Sequence, residues 1–283
     1  MTEVAASDQL LVVIDPVARR TDGESVRIAK DVLSAGAATK VCLPEGPEEF
    51  ARALARRGSR RPVVIGDDRA LLRTVSLLHR QRELTACGLS LVPVGGVLSL
   101  ARSLGVPTGA VAAARAVLDG VERRLDLLVD DSDGVVLGAL RIPSVLSPVP
   151  SEVPSEAASH PWLRTCQSLV RTLAARPARL AALPGPGPAR LRIEVDGVLV
   201  VDLDQPVEAV SVTPGVLGGA EVEIRPASVG VEGSPLRVVG RRVTVSGADF
   251  RYRADSVVGG PVRTRTWVVQ EGAWGLTLPP GLA

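Results

Sequence analysis

Four short apolar runs open the chain: LLVVI at 10–14, ATKVCL at 38–43, PVVI at 62–65 and GLSLVPV at 88–94. No other feature constrains the fold as strongly. A continuous apolar run of this length suits a strand buried on both faces. Stretches with apolar residues at helical spacing separate the runs. The pattern predicts helices over 24–35, 47–57, 69–78, 97–104 and 108–118. In the first of these, Val26, Ala29, Val32 and Leu33 share a face and Gly36 follows as a C-cap. Strands alternating with helices imply a mainly parallel sheet covered on both sides. Ligands of such sheets bind beyond the carboxyl ends of the strands. Asp15, the turn Gly66-Asp67-Asp68-Arg69 and the pair Gly95-Gly96 all fall at those ends.

From about Leu125 the pattern becomes β. LDLLVDD and GVVLGALRI predict a hairpin through Ser132-Asp133-Gly134, and RLRIEVDGVLVVDL predicts another through Asp196-Gly197. Between them lie a Pro/Ser/Glu-rich loop at 147–159, an amphipathic helix at 162–175 and the turn-rich LPGPGP. Strands continue through EAVSV, AEVEIRP, LRVVGRRVTVSG, RTRTWVV and WGLTL. Short strands at this spacing point to a β-sandwich-like unit. The expected organisation is an α/β domain at 8–124, a β-rich domain at 125–283 and a ligand cleft between them.

Composition sets limits on function. The 283 residues are 46% hydrophobic and 23% charged, so the chain can bury a real core. Only 2% are aromatic, which leaves that core to Val, Leu, Ala and Ile. A net charge of +2 argues against a nucleic-acid partner. Cys42, Cys87 and Cys166 show no zinc spacing, and three thiols cannot all pair, which favours a reducing compartment. The first eight residues lack a basic segment before an apolar one, and no apolar run reaches the length of a membrane span. The expectation is a cytoplasmic protein, with peripheral contact at the inner membrane face left open. His79 and His160 lack partners nearby in sequence, Asp130 to Gly134 lacks the later glutamate of a calcium loop, and no metal-ligand set emerges.

VVIGDDRALLRTVSLL, 63–78, reads as strand, turn and helix, the layout of a nucleotide loop. Each candidate carries two readings. Asp68 is either a phosphate- or metal-positioning group or a helix N-terminal aspartate favoured by the dipole. Gly66 and Gly95-Gly96 either admit phosphate to backbone N–H groups or simply make turns. Asp15 is a ligand contact or a turn former, and Arg69 a phosphate contact or a solvated arginine.

The order of these pieces resembles the diacylglycerol kinase catalytic-domain family, bacterial lipid kinases related to sphingosine kinases. Asp15-Pro16 stands at the family's Asn-Pro pair, and GDDRALL at its Gly-Gly-Asp-Gly-Thr loop, with Asp68 on the loop's aspartate. PVGGVLSLARSLGVP, 93–107, matches the segment that leads to Ala-Arg-Ala-Leu-Gly-Ile-Pro. PARLRIEVDG resembles a strand of the β-domain, and GADFRYRADSVVGGPVRTRTW sits at the late Asp-Gly-Glu motif. The resemblance implies Mg²⁺ and ATP held at Asp15, Gly66, Asp67, Arg69, Gly95 and Gly96. It places Asp68 and Asp255 in the chemistry and implies a lipid substrate entering from the cleft. Several positions depart from the family. Asp67 and Arg69 replace glycines, Ala70 replaces the threonine, and Gly96-Val97-Leu98-Ser99 replaces Thr-Gly-Asn-Asp. Ser256 and Val257 follow Asp255 in place of Gly-Glu. Two expectations therefore stand: an ATP-dependent kinase of a diacylglycerol-like lipid, or a pseudokinase that binds lipid or nucleotide without turnover. The oligomeric state stays open, a homodimer among the options.

Overall fold

The structure, a computed structural model, describes residues 9–143, 188–215, 218–227 and 234–281. The expected loop at 147–159, the helix at 162–175, most of LPGPGP, His160 and Cys166 lie outside these residues.

The first half forms as the apolar runs demand. The strands are β1 (Gln9–Ile14), β2 (Ala38–Cys42), β3 (Arg61–Gly66) and β4 (Gly88–Pro93). They lie in the order β2-β1-β3-β4, and every pair is parallel. Burial of β1 is continuous from Leu10 to Ile14, as expected for a central parallel strand. The connecting helices are α1 (Pro16–Thr21), α2 (Gly23–Gly36), α3 (Pro47–Ala55), α4 (Asp68–Arg80), α5 (Ser99–Ser103) and α6 (Ala110–Asp119). On one face Val26, Ala29 and Leu33 of α2 and Ala113, Ala114 and Val117 of α6 pack on Leu10, Val12, Val63 and Ile65. On the other, Phe50 and Leu54 of α3 and Leu71, Val75 and Leu78 of α4 pack on Leu11, Val13 and Val64.

Two details differ from the sequence reading. α1 was not expected; Asp15 caps it and Pro16 occupies its first turn, where a missing N–H costs nothing. Gly36 is the last helical residue of α2 rather than its cap, which is Ala37. A Cβ at Gly36 would meet Leu118 Cδ1 at 2.4 Å, so the glycine lets α6 approach.

The second half contains β5 (Val121–Asp130), β6 (Val135–Val136), β7 (Leu140–Ile142), β8 (Leu191–Val195), β9 (Val198–Val201), β10 (Val207–Pro214), β11 (Ala220–Pro226), β12 (Leu236–Gly240), β13 (Arg242–Ala254) and β14 (Val257–Leu278). Both hairpins expected from the turn residues are present, β5–β6 and β8–β9. Asp196 and Gly197, at φ 51° and 80°, supply the left-handed pair that a two-residue turn needs. GVVLGALRI divides into β6 and β7, because Asp255 binds the backbone between them. Trp267 sits at the centre of this half's core with Tyr252, Val243 and Leu128.

RTRTWVV and WGLTL belong to one strand, β14. It pairs antiparallel with β13 and β5, and then parallel with β4 at Gly275 and Leu276. The sheet path therefore runs without interruption from β12 through β14 to β2. A register shift between Gln270 and Trp274 marks the bend, where Gly272 takes φ 53° and its N–H donates to Asp126 Oδ1 at 2.7 Å. Just beyond it Trp274 is fully buried among Leu127, Leu276 and Leu278. No helix among the described residues is long and apolar enough to cross a membrane.

Trp274 stands where β14 enters the parallel sheet, so truncating it opens a cavity between the halves. Trp274→Ala is expected to cost about 3–5 kcal/mol. Urea denaturation of the variant and the parent measures the loss, and a change under about 1 kcal/mol, nearer the size of a surface substitution, would show that this contact does not join the halves.

Candidate functional site

Of the expected site residues, Asp15, Gly66, Asp67, Asp68, Arg69, Gly95 and Gly96 gather at the carboxyl ends of β1, β3 and β4, whereas Asp255 lies in the turn between β13 and β14. β3 delivers Gly66, whose carbonyl accepts from Val94 N at 3.0 Å. A Cβ there would meet Ala70 Cβ at 2.6 Å and Asp15 Cβ at 3.1 Å. The glycine thus permits close packing of α4 on the sheet. Gly95 takes φ 136°, and a Cβ on it would lie 3.0 Å from Asp67 Cβ. Asp68 N donates to Val97 O at 3.0 Å. The Gly66–Arg69 and Gly95–Val97 turns are in direct contact.

The first turn of α4 is satisfied from within the chain. A helix N-terminus offers four backbone N–H groups that lack helical partners, and these are what bind phosphate. Here Asp68 N goes to Val97 O, while Leu71 N makes the first intrahelical bond, to Asp67 O at 3.2 Å. Arg69 N and Ala70 N donate to Asp67 Oδ1 at 3.1 and 3.2 Å. Asp67 is the N-cap, so its carboxylate takes the place that an anion would occupy.

Asp68 does a second job of the same kind. α5 begins after Leu98, which has no side-chain acceptor for a cap. Asp68 provides it. Its Oδ2 accepts from Leu100 N at 2.8 Å and Ser99 Oγ at 3.1 Å, and its Oδ1 accepts from Ala101 N at 2.9 Å. The residue is 2% exposed.

Asp255 lies in the turn between β13 and β14, at φ 51°. Its Oδ2 accepts from Leu137 N, and its Oδ1 from Gly138 N and Ala139 N, each at 2.8 Å. Its own N–H donates to Ala139 O at 2.8 Å. This holds the β6–β7 connection against the β13–β14 turn. Gly138 allows close approach, since a Cβ there would meet Leu100 Cδ1 at 2.8 Å and Asp255 Oδ1 at 2.9 Å. Asp68 and Asp255 therefore flank one contact, between α5 and the β6–β7 connection. Burial pushes the Asp255 carboxyl above its ordinary value; the three N–H donors oppose this, and the charge of Asp68 adds to it.

Asp15 is buried too. Its Oδ1 accepts from Val17 N at 2.8 Å, and its Oδ2 pairs with Arg73 Nη1 at 2.7 Å. Arg73 in turn lies over the ring of Phe50, 5.5 Å from its centroid. Arg73 is the partner that the sequence did not reveal; nothing in its spacing from Asp15 marks the pair. His79 is a similar case. It is buried at the end of α4, and its Nε2 lies 2.9 Å from Asp133 Oδ1 in the β5–β6 turn. Arg69 and Gly96 are exposed beside these groups. Among the described residues no group of three or more His, Cys, Asp or Glu is arranged to hold a metal.

The α/β unit has a parallel sheet that continues through the last strand into an antiparallel β unit. The comparison with solved structures finds this architecture in other proteins. Three structures from Bacillus anthracis str. Sterne, provisionally assigned as a diacylglycerol kinase in two of them and named so in the third, match with a TM-score of 0.69. The match covers 99% of this chain and 100% of theirs at 12–13% sequence identity, so the likeness is one of fold. No protein-family model matches the sequence, and no curated protein does.

Asp255→Asn tests the carboxylate. A carboxyl raised in the folded state binds its proton more tightly there than in the unfolded chain. Its stabilisation is full below the ordinary value of 3.8 and is lost as the pH rises through the folded value. Relative to Asp255→Asn, the parent should lose stability as the pH is raised above 3.8. Denaturant melts of both proteins across that range read the difference, and parallel curves would refute the shift. Asp255→Ala strands three backbone donors, and each such group costs about 1–3 kcal/mol.

Proposed function

We propose that this chain uses a lipid-kinase fold as a lipid-binding module without phosphoryl transfer from ATP. One observation carries the reading: the N–H groups of Asp68, Arg69 and Ala70, which open α4, are bonded within the chain, two of them to the carboxylate of Asp67. Phosphoryl transfer asks a protein mainly to position phosphates and to neutralise their charge. A triphosphate here would have to displace a covalently tethered anion and then lie among Asp15, Asp67 and Asp68. The groups present do not fit Mg-ATP at this turn. Asp68 and Asp255 are likewise engaged, each by three donors. Their arrangement supports a part in holding α5 and the β6–β7 connection together. The lipid ligand rests on the likeness to structures named for a diacylglycerol kinase and on the resemblance of the sequence to that family. The likeness of the whole chain also favours a second reading, an active ATP-dependent kinase acting on the hydroxyl of a diacylglycerol-like lipid.

Thermal shift and a transfer assay separate the two. A nucleotide at 100 times its dissociation constant stabilises the native state by about 2.7 kcal/mol. The binding-module reading expects no shift with millimolar Mg-ATP or Mg-ADP, and no label passed from ATP to diacylglycerol in mixed vesicles. It also expects the protein to co-sediment with those vesicles. A nucleotide-dependent shift together with labelled phosphatidic acid would establish the kinase and overturn the proposal.

A further inference from the structure

α3 is short, and its buried residues Phe50 and Leu54 pack towards β1 and α4. β2 is left largely uncovered, and none of its five residues is fully buried. The result is a cavity of about 350 Å³ between β2 and α3. Small-ligand sites start at roughly this size, about 300 Å³. Lys40, Arg52 and Arg56 line it, with one carboxylate, Glu49. The nearest contact of that carboxylate with Arg52 is 3.8 Å, and both side chains are well exposed, so little of the arginine's charge is quenched. Lys40 and Arg56 have no carboxylate partner among the described residues. Leu11, Leu43, Pro44 and Ala53 supply the apolar part of the lining. Leu43 and Pro44 follow directly on β2, so the cavity reaches the carboxyl end of that strand, where ligands of parallel sheets collect.

We propose that this cavity binds a phosphate monoester. Three cations against one carboxylate favour an anion. A phosphate monoester carries nearly two negative charges and three acceptor oxygens, which suits two guanidinium forks and an ammonium. The volume exceeds a phosphate group and leaves space against Leu43 and Pro44 for a short organic remainder. The phosphate can come from a soluble ester or from the headgroup of phosphatidic acid, and the chemistry of the cavity is the same for both. None of the lining residues belongs to the Gly66–Arg69 turn, so the site does not depend on the state of α4's N-terminus.

Calorimetric titration with inorganic phosphate and glycerol 3-phosphate, and co-sedimentation with phosphatidylcholine vesicles with and without phosphatidic acid, test the proposal. The variants are Arg56→Gln alone and Lys40→Gln/Arg56→Gln together. Arg251→Gln/Arg263→Gln removes the same charge from exposed positions on β13 and β14. We expect the cavity double variant to weaken binding at least about tenfold, the size of one charge-assisted contact, with Arg56→Gln intermediate and the control unchanged. The residues are exposed, so melting of the ligand-free protein should not move. Binding of the soluble esters alone assigns a soluble ligand, and binding of the phosphatidic acid vesicles alone assigns the headgroup. No binding of any probe overturns the proposal. So does a loss that is equal in the cavity and control variants, which would mean diffuse attraction, and so does binding that Arg56→Gln and the double variant leave intact.

Discussion

Between Val257 and Leu278 a single strand hydrogen-bonds in turn to β13, β5 and β4. A strand shared in this way cannot leave one half without exposing its unpaired backbone groups, and buried unpaired groups are costly. The outward half of β14 is partly exposed, whereas Ala273 to Leu278 are buried throughout. The change occurs at the bend by Gly272, where Asp126 binds both Gly272 N and Gly218 N. The last residues close against α6. A Cβ at Gly120 would lie 2.6 Å from Leu278 O, so only glycine admits that approach. The two halves are therefore one sheet path, and the geometry at the ends of β1, β3 and β4 is fixed relative to the turn carrying Asp255.

Within that frame, carboxylates serve as backbone acceptors. Asp67 caps α4, Asp68 caps α5, Asp15 caps α1, and Asp255 gathers three successive N–H groups at 137–139. Each bond of this kind links a charged acceptor to a backbone donor and is about twice as strong as a neutral one. A carboxylate with its oxygens filled by N–H donors is poorly placed to take a proton from a substrate or to bind Mg²⁺, because either role displaces those donors. The same residue types at the same turns can therefore either run chemistry or hold loops, and the hydrogen-bond partners decide which.

Much of this was legible in the sequence. The apolar runs at 10–14, 62–65 and 88–94 became parallel strands, since burial on both faces leaves its mark in composition. Asp196-Gly197 and Ser132 to Gly134 became turns because few residues tolerate a left-handed backbone there. The joining of RTRTWVV and WGLTL into β14 was not legible. Gln270 to Gly272 reads as a break, and only the partner strands β5 and β4 show that pairing resumes beyond it. α1 was legible in principle, from an aspartate cap followed by proline. At the strand ends, the sequence reading located Asp68 and Gly95, but not the donors that fill Asp68. Those donors are backbone groups of Leu100 and Ala101, which are invisible to any pattern of side chains. The pairings of Arg73 and His79 were missed for the converse reason, because their partners Asp15 and Asp133 lie 58 and 54 residues away.

Charge is distributed unevenly across the parallel sheet. At the carboxyl ends of its central strands, Arg73 is the one cation bonded to Asp15, Asp67 or Asp68 among the described residues, and Asp255 lies close enough for the charge of Asp68 to act on it. On the outer flank, over β2, Lys40, Arg52 and Arg56 meet one weakly paired carboxylate, Glu49. A surface with such a gradient draws an anion towards its positive end, most strongly where low-dielectric walls focus the field. The uncovered face of β2 has such walls in Leu11, Leu43 and Ala53. The filled cap of α4 and the open flank of β2 are thus two sides of one arrangement. Carboxylates that lock the central turns also repel an anion from them, and the short α3 leaves Lys40, Arg52 and Arg56 within reach of solvent.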